Sequence, residues 1–189
     1  QLDTLKKSGV DVDTEALIKG INDQMAGTPS QLNEQQIQTA IAGVQKKMDE
    51  FAKKQASETA AAGEKYLADN KAKEGVKTTE SGLQYKVTKE GTGAQVAKGD
   101  LVTVEYEGRL TDGTVFDSTK NHNNQPMDAP VVDGAFIQGW VEGLQLMKEG
   151  GEYTLYVPAK LAYGERAQGS IPANSVLVFD LSLIHISEP

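Results

Sequence analysis

Val102-Thr103-Val104-Glu105-Tyr106-Glu107-Gly108-Arg109-Leu110, followed by Thr111-Asp112-Gly113-Thr114 and Val115-Phe116-Asp117, reads as two strands and a turn. Val102, Val104, Tyr106 and Leu110 alternate with Thr103, Glu105, Glu107 and Arg109, the pattern of a strand with one buried face. Asp112-Gly113 supplies a two-residue hairpin turn, because both residue types tolerate the positive φ such turns demand. The same period of two recurs on either side, in Leu83, Tyr85 and Val87, in Tyr153, Leu155 and Val157 up to Pro158, and in Leu177, Phe179, Leu181 and Leu183. One short helix is expected over 141–148, stopped by Gly150-Gly151, while Ser118–Asp128 and Ala159–Ser175 read as loops. Consecutive strands with a single helix define an α+β fold, an antiparallel sheet with the helix packed on one face.

The period upstream is different. Residues 1–74 read as all-helical, with Asp13 capping a helix that carries Leu17, Ile18, Ile21 and Met25 on one face and ends at Gly27-Thr28-Pro29. Asn33 with Gln36 three residues on forms a capping box, and Leu32 is placed to staple onto Ile37. Ile37, Ile41, Val44, Met48 and Phe51 then recur at heptad-like spacing, a narrow seam that suits pairing with another helix. Helix formers continue to about residue 71, so the pattern predicts one stalk helix over 34–71 whose second half has too little apolar surface to pack on anything. The seam is expected to dimerise the chain, with packing against the helix at 13–26 as the alternative, and the two are compatible. Lys73-Glu74-Gly75-Val76 is the break, giving a helical module at 1–75 and a sheet domain at 76–189.

Composition removes several functions. The net charge of −8 lacks the clustered Lys and Arg of a nucleic-acid surface. Residues 76–189 hold 9 basic against 15 acidic side chains, and residues 1–75 hold 10 against 12, so the sheet half is the acidic one. No run approaches the length of a membrane span. Without cysteine there is no disulfide, thiolate zinc site or thiol nucleophile. His122 and His185 stand in no metal-ligand spacing, and His122, in an Asn-rich loop, reads as a solvated side chain. No phosphate-cradling loop or Ser-His-Asp set is present, and no cofactor is expected.

What remains is aromatic. Nine of the eleven aromatic residues lie between Tyr85 and Phe179, and the lone tryptophan sits in Phe136-Ile137-Gln138-Gly139-Trp140-Val141-Glu142-Gly143-Leu144. A single Trp is ordinarily core, so its company decides. Asp117 either faces an aromatic cavity or caps a turn through Ser118, and Tyr163 either lines that cavity or packs in the core.

Read together, Gly82–Tyr85, Val104–Leu110, Asp112–Ser118, Ile137–Trp140, Leu161–Gly164, Ile171-Pro172 and Leu177–Asp180 resemble the FK506-binding-protein-type peptidyl-prolyl isomerases, over about residues 80–183. The helical front half resembles the amino-terminal module of the macrophage infectivity potentiator branch. The resemblance implies a half-barrel sheet wrapped on the short helix, with Trp140 as the floor of a proline pocket. Tyr106, Phe116, Phe136, Ile137, Tyr163 and Phe179 would line it, with Asp117 at its wall. The Ile137 N–H and the Tyr163 hydroxyl would each hold a substrate carbonyl. It further implies Xaa-Pro segments of folding polypeptides as substrate, macrolides as inhibitors, a homodimer through the front helices, and a periplasmic or outer-membrane-associated location in a Gram-negative bacterium, the cytoplasm being the alternative. A proline-binding chaperone or adhesion module with little turnover is the rival function.

Such a site needs few groups. Rotation about an Xaa-Pro bond meets a barrier of about 18–20 kcal/mol from amide resonance and breaks no bond. A dry aromatic pocket disfavours the planar, more polar amide relative to the twisted one. Five departures from the family pattern stand out. The wall aromatic is missing around Pro130-Val131-Val132, Phe136 is bulky, Gln138 is unusual, Ala167-Gln168 stands where some members carry a histidine, and the Thr119–Asp128 loop is a little long. Residues 181–189 resemble an in-frame translation of a sequencing adapter and are read as a non-native tail in which Leu181 and Leu183 still complete the strand.

Overall fold

The computed structural model describes residues 9–30 and 32–187; the expectations for the first residues and for Glu188-Pro189 fall outside them. Two compact units divide at Gln55/Ala56, inside the long helix rather than at its end.

In the first unit, α1 spans Thr14–Met25 and α2 begins at Glu34. Asp13 caps α1 as expected, accepting from the N–H groups of Glu15 and Ala16 at 3.0 Å each. The capping box also forms, with Asn33 N–H on Gln36 Oε1 at 2.9 Å and Gln36 N–H on Asn33 Oδ1 at 2.8 Å. Phe51 covers Gly9, and Val10 beside it is buried. The apolar faces of the two helices are otherwise left to solvent. Ile18, Ile21 and Met25 on α1, and Ile37, Ile41 and Val44 on α2, are all exposed, so packing on α1 does not cover the seam.

α2 runs unbroken over Glu34–Lys71, and its second half belongs to the sheet unit. Here the sequence expectation of a bare solvated stalk fails. Gly63 and Asn70 are buried, and a Cβ on Gly63 would stand 2.8 Å from Val176 Cγ2. Tyr66 meets Tyr156 with ring centroids 6.3 Å apart. The Asn70 side-chain amide donates to Gln84 Oε1 at 2.9 Å, and Gln84 returns a bond to the Leu67 carbonyl at 2.8 Å. The contacts use a glycine, a tyrosine and two amides, which an apolar-periodicity reading does not count.

The sheet contains β1 (Val76–Thr78), β2 (Gln84–Lys89), β3 (Leu101–Leu110), β4 (Val115–Ser118), β5 (Met127–Pro130), β6 (Glu152–Val157) and β7 (Leu177–Ser187). Their order is β1-β2-β6-β7-β3-β4, with β5 continuing along the β4 edge of β3, and every pairing is antiparallel. The Asp112-Gly113 connection is a three-residue loop rather than a two-residue one: Leu110 N–H bonds the Thr114 carbonyl at 2.9 Å and Gly113 takes φ +91°. β5 begins at Met127 and Asp128, the end of the stretch read as loop, and runs two residues beyond it. Only Ala129 of its four residues is buried, and Pro130 ends it on an edge where no N–H is required, so it carries no alternation to read. β7 pairs with β3 from Leu177↔Leu110 to Ser187↔Leu101 across a bulge, carrying the last strand past Leu183, and Glu149 anchors its end through His185 Nδ1 at 2.7 Å.

α3 spans Gln138–Gln145, one turn earlier than expected. It lies across the inner face of the sheet and buries Trp140, Val141 and Leu144 with Met147 just beyond. Gly139 and Gly143 make that approach possible, since a Cβ at either would overlap Val157 or Leu155 of β6.

Candidate active site

Trp140 enters α3 at its first turn and is only 3% exposed, so its indole forms a floor between helix and sheet. Three rings surround it. Tyr106 of β3 stands edge-on with centroids 5.2 Å apart and planes at 83°, Phe179 of β7 edge-on at 5.4 Å and 80°, and Phe136 stacks at 5.2 Å and 29°. Phe116 of β4 meets Phe179 edge-on at 5.6 Å. Edge-to-face pairs satisfy the ring quadrupoles and fix each ring's tilt. The packing depends on Gly108, between β4 and β7, because a Cβ there would sit 2.7 Å from both Phe116 and Phe179.

The rings enclose a cavity of about 600 Å³. All eight residues singled out in the sequence line it: Tyr106, Phe116, Asp117, Phe136, Ile137, Trp140, Tyr163 and Phe179. Met127, Ala135, Gln138 and Ala162 complete the lining. Met127 gave no sequence signal, since it opens the unrecognised β5. Val131, expected on the pocket side, is instead fully buried in the core, and Met127 supplies lining from the same strand region. Phe136 is the bulky neighbour of the floor, stacked rather than displaced.

The polar side of the cavity is one network. Tyr106 Oη donates to Asp117 Oδ2 at 2.7 Å, and Ser118 N–H donates to Asp117 Oδ1 at 2.9 Å. His122 Nε2 lies 3.1 Å from the same Oδ1, so the histidine read as merely solvated is a partner of the wall carboxylate. Partial burial pushes the Asp117 carboxyl up, but the bonds from Tyr106, His122 and the Ser118 N–H outweigh it and hold the group below its ordinary value. Burial pushes the Tyr106 phenol well above its ordinary value, with the Asp117 carboxylate adding to the effect. The pair is therefore an ionised acceptor and a protonated donor at neutral pH. Ile137 precedes α3 in extended conformation, at the helix N-terminus where N–H groups have no intrahelical acceptor. Tyr163 is 39% exposed at the rim. The Trp140 indole N–H is buried and meets no hydrogen-bond acceptor among the described residues. The arrangement offers an apolar slot, donors at its edge and no nucleophile, and among the described residues no His/Cys/Asp/Glu cluster suits a metal.

A cavity of this kind on this fold has relatives. The family model described as FKBP-type peptidyl-prolyl cis-trans isomerase matches residues 92–184, and the model for the domain amino-terminal to it matches 2–87. The FKBP-type peptidyl-prolyl cis-trans isomerase FkpA of Aeromonas hydrophila is 44% identical over 192 residues, covering 100% of this chain and 70% of the relative. The outer membrane protein MIP of Legionella longbeachae is 42% identical over 97% of this chain and 79% of its own. The crystal structure of FkpA from Escherichia coli superposes with a TM-score of 0.84 at 35% identity, covering 99% of this chain and 88% of that one. The chain belongs to the FKBP-type peptidyl-prolyl cis-trans isomerases and carries that family's amino-terminal domain. It is an isomerase, acting on proline-containing polypeptides.

Proposed function

We propose that this isomerase catalyses cis/trans rotation of Xaa-Pro bonds in folding polypeptides of a bacterial cell envelope, with the Trp140 cavity as its site. The observation that carries the reading is the convergence of three rings, Tyr106, Phe136 and Phe179, on Trp140 beside Asp117, Ile137 and Tyr163. The proline ring packs over the indole. The Ile137 N–H and the Tyr163 hydroxyl donate hydrogen bonds to substrate carbonyls and hold one side of the rotating bond. Because the cavity is largely apolar, the planar amide loses more solvation than the twisted one, which lowers the barrier. Asp117, fixed by Tyr106, sets the polar wall against which the peptide lies. The two-fold pairing of front helices, through the exposed seam of α2 and the apolar face of α1, brings two sites to one client and raises effective concentration. The name of the Legionella relative supports an envelope location. Among the described residues no helix is long and apolar enough to cross a membrane.

Turnover of a short Xaa-Pro peptide tests the assignment. Trp140→Phe is expected to lower kcat/KM by about tenfold and Tyr163→Phe by several-fold, in line with the usual worth of a positioned group. Unchanged rates in both variants would remove the site from the cavity, while binding without turnover in the parent protein would point to a proline-binding module.

A further inference from the structure

The polar wall continues outward beyond Asp117. His122 closes a short 3-10 turn, Thr119–His122, that follows β4 directly. Ser118 caps this turn by accepting from Lys120 N–H at 3.2 Å, and Asn123 reverses the chain behind it with φ 59°. The backbone therefore delivers the imidazole to Asp117, with Nε2 at 3.1 Å, while 64% of the side chain remains in solvent.

We propose that His122 is a positioning and specificity residue for the isomerase site: its protonation sets the net charge of the Asp117 rim and thereby selects the residue preceding proline. This rests on the Trp140 cavity being the site of turnover. With the imidazole protonated, Asp117 is paired and the rim is neutral. With it neutral, the carboxylate keeps only uncharged donors, the Tyr106 hydroxyl and the Ser118 N–H. Histidine is the side chain whose charge ordinarily changes between about pH 5 and 8.

The surrounding charges hold still over that range. Tyr106 on β3 is a phenol that burial and the Asp117 carboxylate hold well above its ordinary value, so it stays protonated. Lys120, on the same turn, is engaged with Glu107 at 2.9 Å, and Glu107 lies 3.9 Å from Arg109. Asp128 on β5 accepts from Thr103 at 2.8 Å. An acidic residue before proline is thus repelled at high pH and accepted at low pH, and a basic residue the reverse.

The test is kcat/KM for peptides differing only in Glu or Lys before proline, at about pH 5.5 and about pH 8, where the Glu of the peptide keeps its charge. In the parent protein the Glu-to-Lys ratio is expected to rise roughly three- to tenfold on going to the lower pH, the scale of one half-exposed charge at a rim. His122→Gln should hold the ratio at its high-pH value throughout, and His122→Arg at its low-pH value. A flat ratio in the parent, or an undiminished rise in His122→Gln, would overturn the proposal. Trp140→Phe separates the two readings. Full turnover there would displace the site itself, whereas lost turnover there with a pH-independent ratio in the parent would overturn only the role of His122.

Discussion

The hydroxyl of Tyr106 donates to Asp117 Oδ2 at 2.7 Å, and this bond ties the ring that stands on Trp140 to the polar wall of the cavity. The donor comes from the middle of β3 and the acceptor from β4, so the hairpin at Asp112-Gly113 is what brings them together.

Tyr106→Phe isolates that bond. The Asp117 carboxyl is held below its ordinary value, so its contribution to stability is present above the ordinary carboxylate range and is lost as pH falls through the lowered value. The Tyr106 phenol is raised, so the donor persists to beyond its ordinary titration and is lost only as pH rises through the raised value. The variant is expected to lose about 1 kcal/mol at neutral pH, the worth of a charge-assisted bond discounted for a half-exposed carboxylate. The deficit should shrink at about pH 2.5, below the ordinary carboxylate range, as the pH falls toward the lowered Asp117 value. Urea unfolding at both pH values measures it, and an equal deficit at both would deny the bond its charge.

Gly108 is a position where nothing larger fits. A Cβ would press on Phe116 and Phe179 at 2.7 Å each, and both rings are fixed by edge-on contacts. Gly108→Ala is expected to cost about 1–3 kcal/mol, the range for overpacking, and to lower kcat/KM by tilting the rings that wall the cavity. Stability within 0.5 kcal/mol of the parent (about the noise of a neutral surface change) would mean that the rings yield freely.

How much of this was readable follows from what each contact is made of. Alternation exposed β3, β6 and β7, because their buried residues are aliphatic or aromatic and their outer ones polar. The eight cavity residues are legible because seven are aromatic or aliphatic in motifs with strong resemblance, yet the His122–Asp117 contact is not. It depends on a 3-10 turn whose capping comes from Ser118, a tertiary detail with no periodic trace. β5 escaped for a related reason, since a four-residue edge strand ending in proline has no room for a pattern. The second half of α2 gives no packing signal because its buried surface is polar and small.

Asn70 tests that contact between helix and sheet. It is fully buried at the end of α2, and its amide bond to Gln84 joins the helix to the start of β2. Asn70→Ala leaves Gln84 Oε1 without its donor and is expected to cost about 1–3 kcal/mol. Peptide turnover should stay near the parent level, since neither residue lines the cavity. A urea midpoint that does not move would show the helix end to be dispensable for the sheet unit.

The exposed seam of α2 carries the last prediction. Ile37, Ile41 and Val44 are 39%, 63% and 37% exposed, and Ile18 and Ile21 of α1 are 59% and 51% exposed. Leaving so many aliphatic side chains in water is unfavourable at about 25 cal/mol for each Å², and a second copy presents the same heptad spacing to cover them. Ile41→Glu with Val44→Glu places like charges across such a seam and should convert a dimer to a monomer in sedimentation at micromolar concentration. Turnover of a short peptide is expected to stay within about twofold, because it uses one cavity. Refolding of a proline-limited protein should slow by more, because the second cavity no longer benefits from effective concentration. A parent protein that sediments only as a monomer would refute the pairing outright, and a variant that loses the dimer yet refolds its client at the parental rate would leave dimerisation without a catalytic purpose.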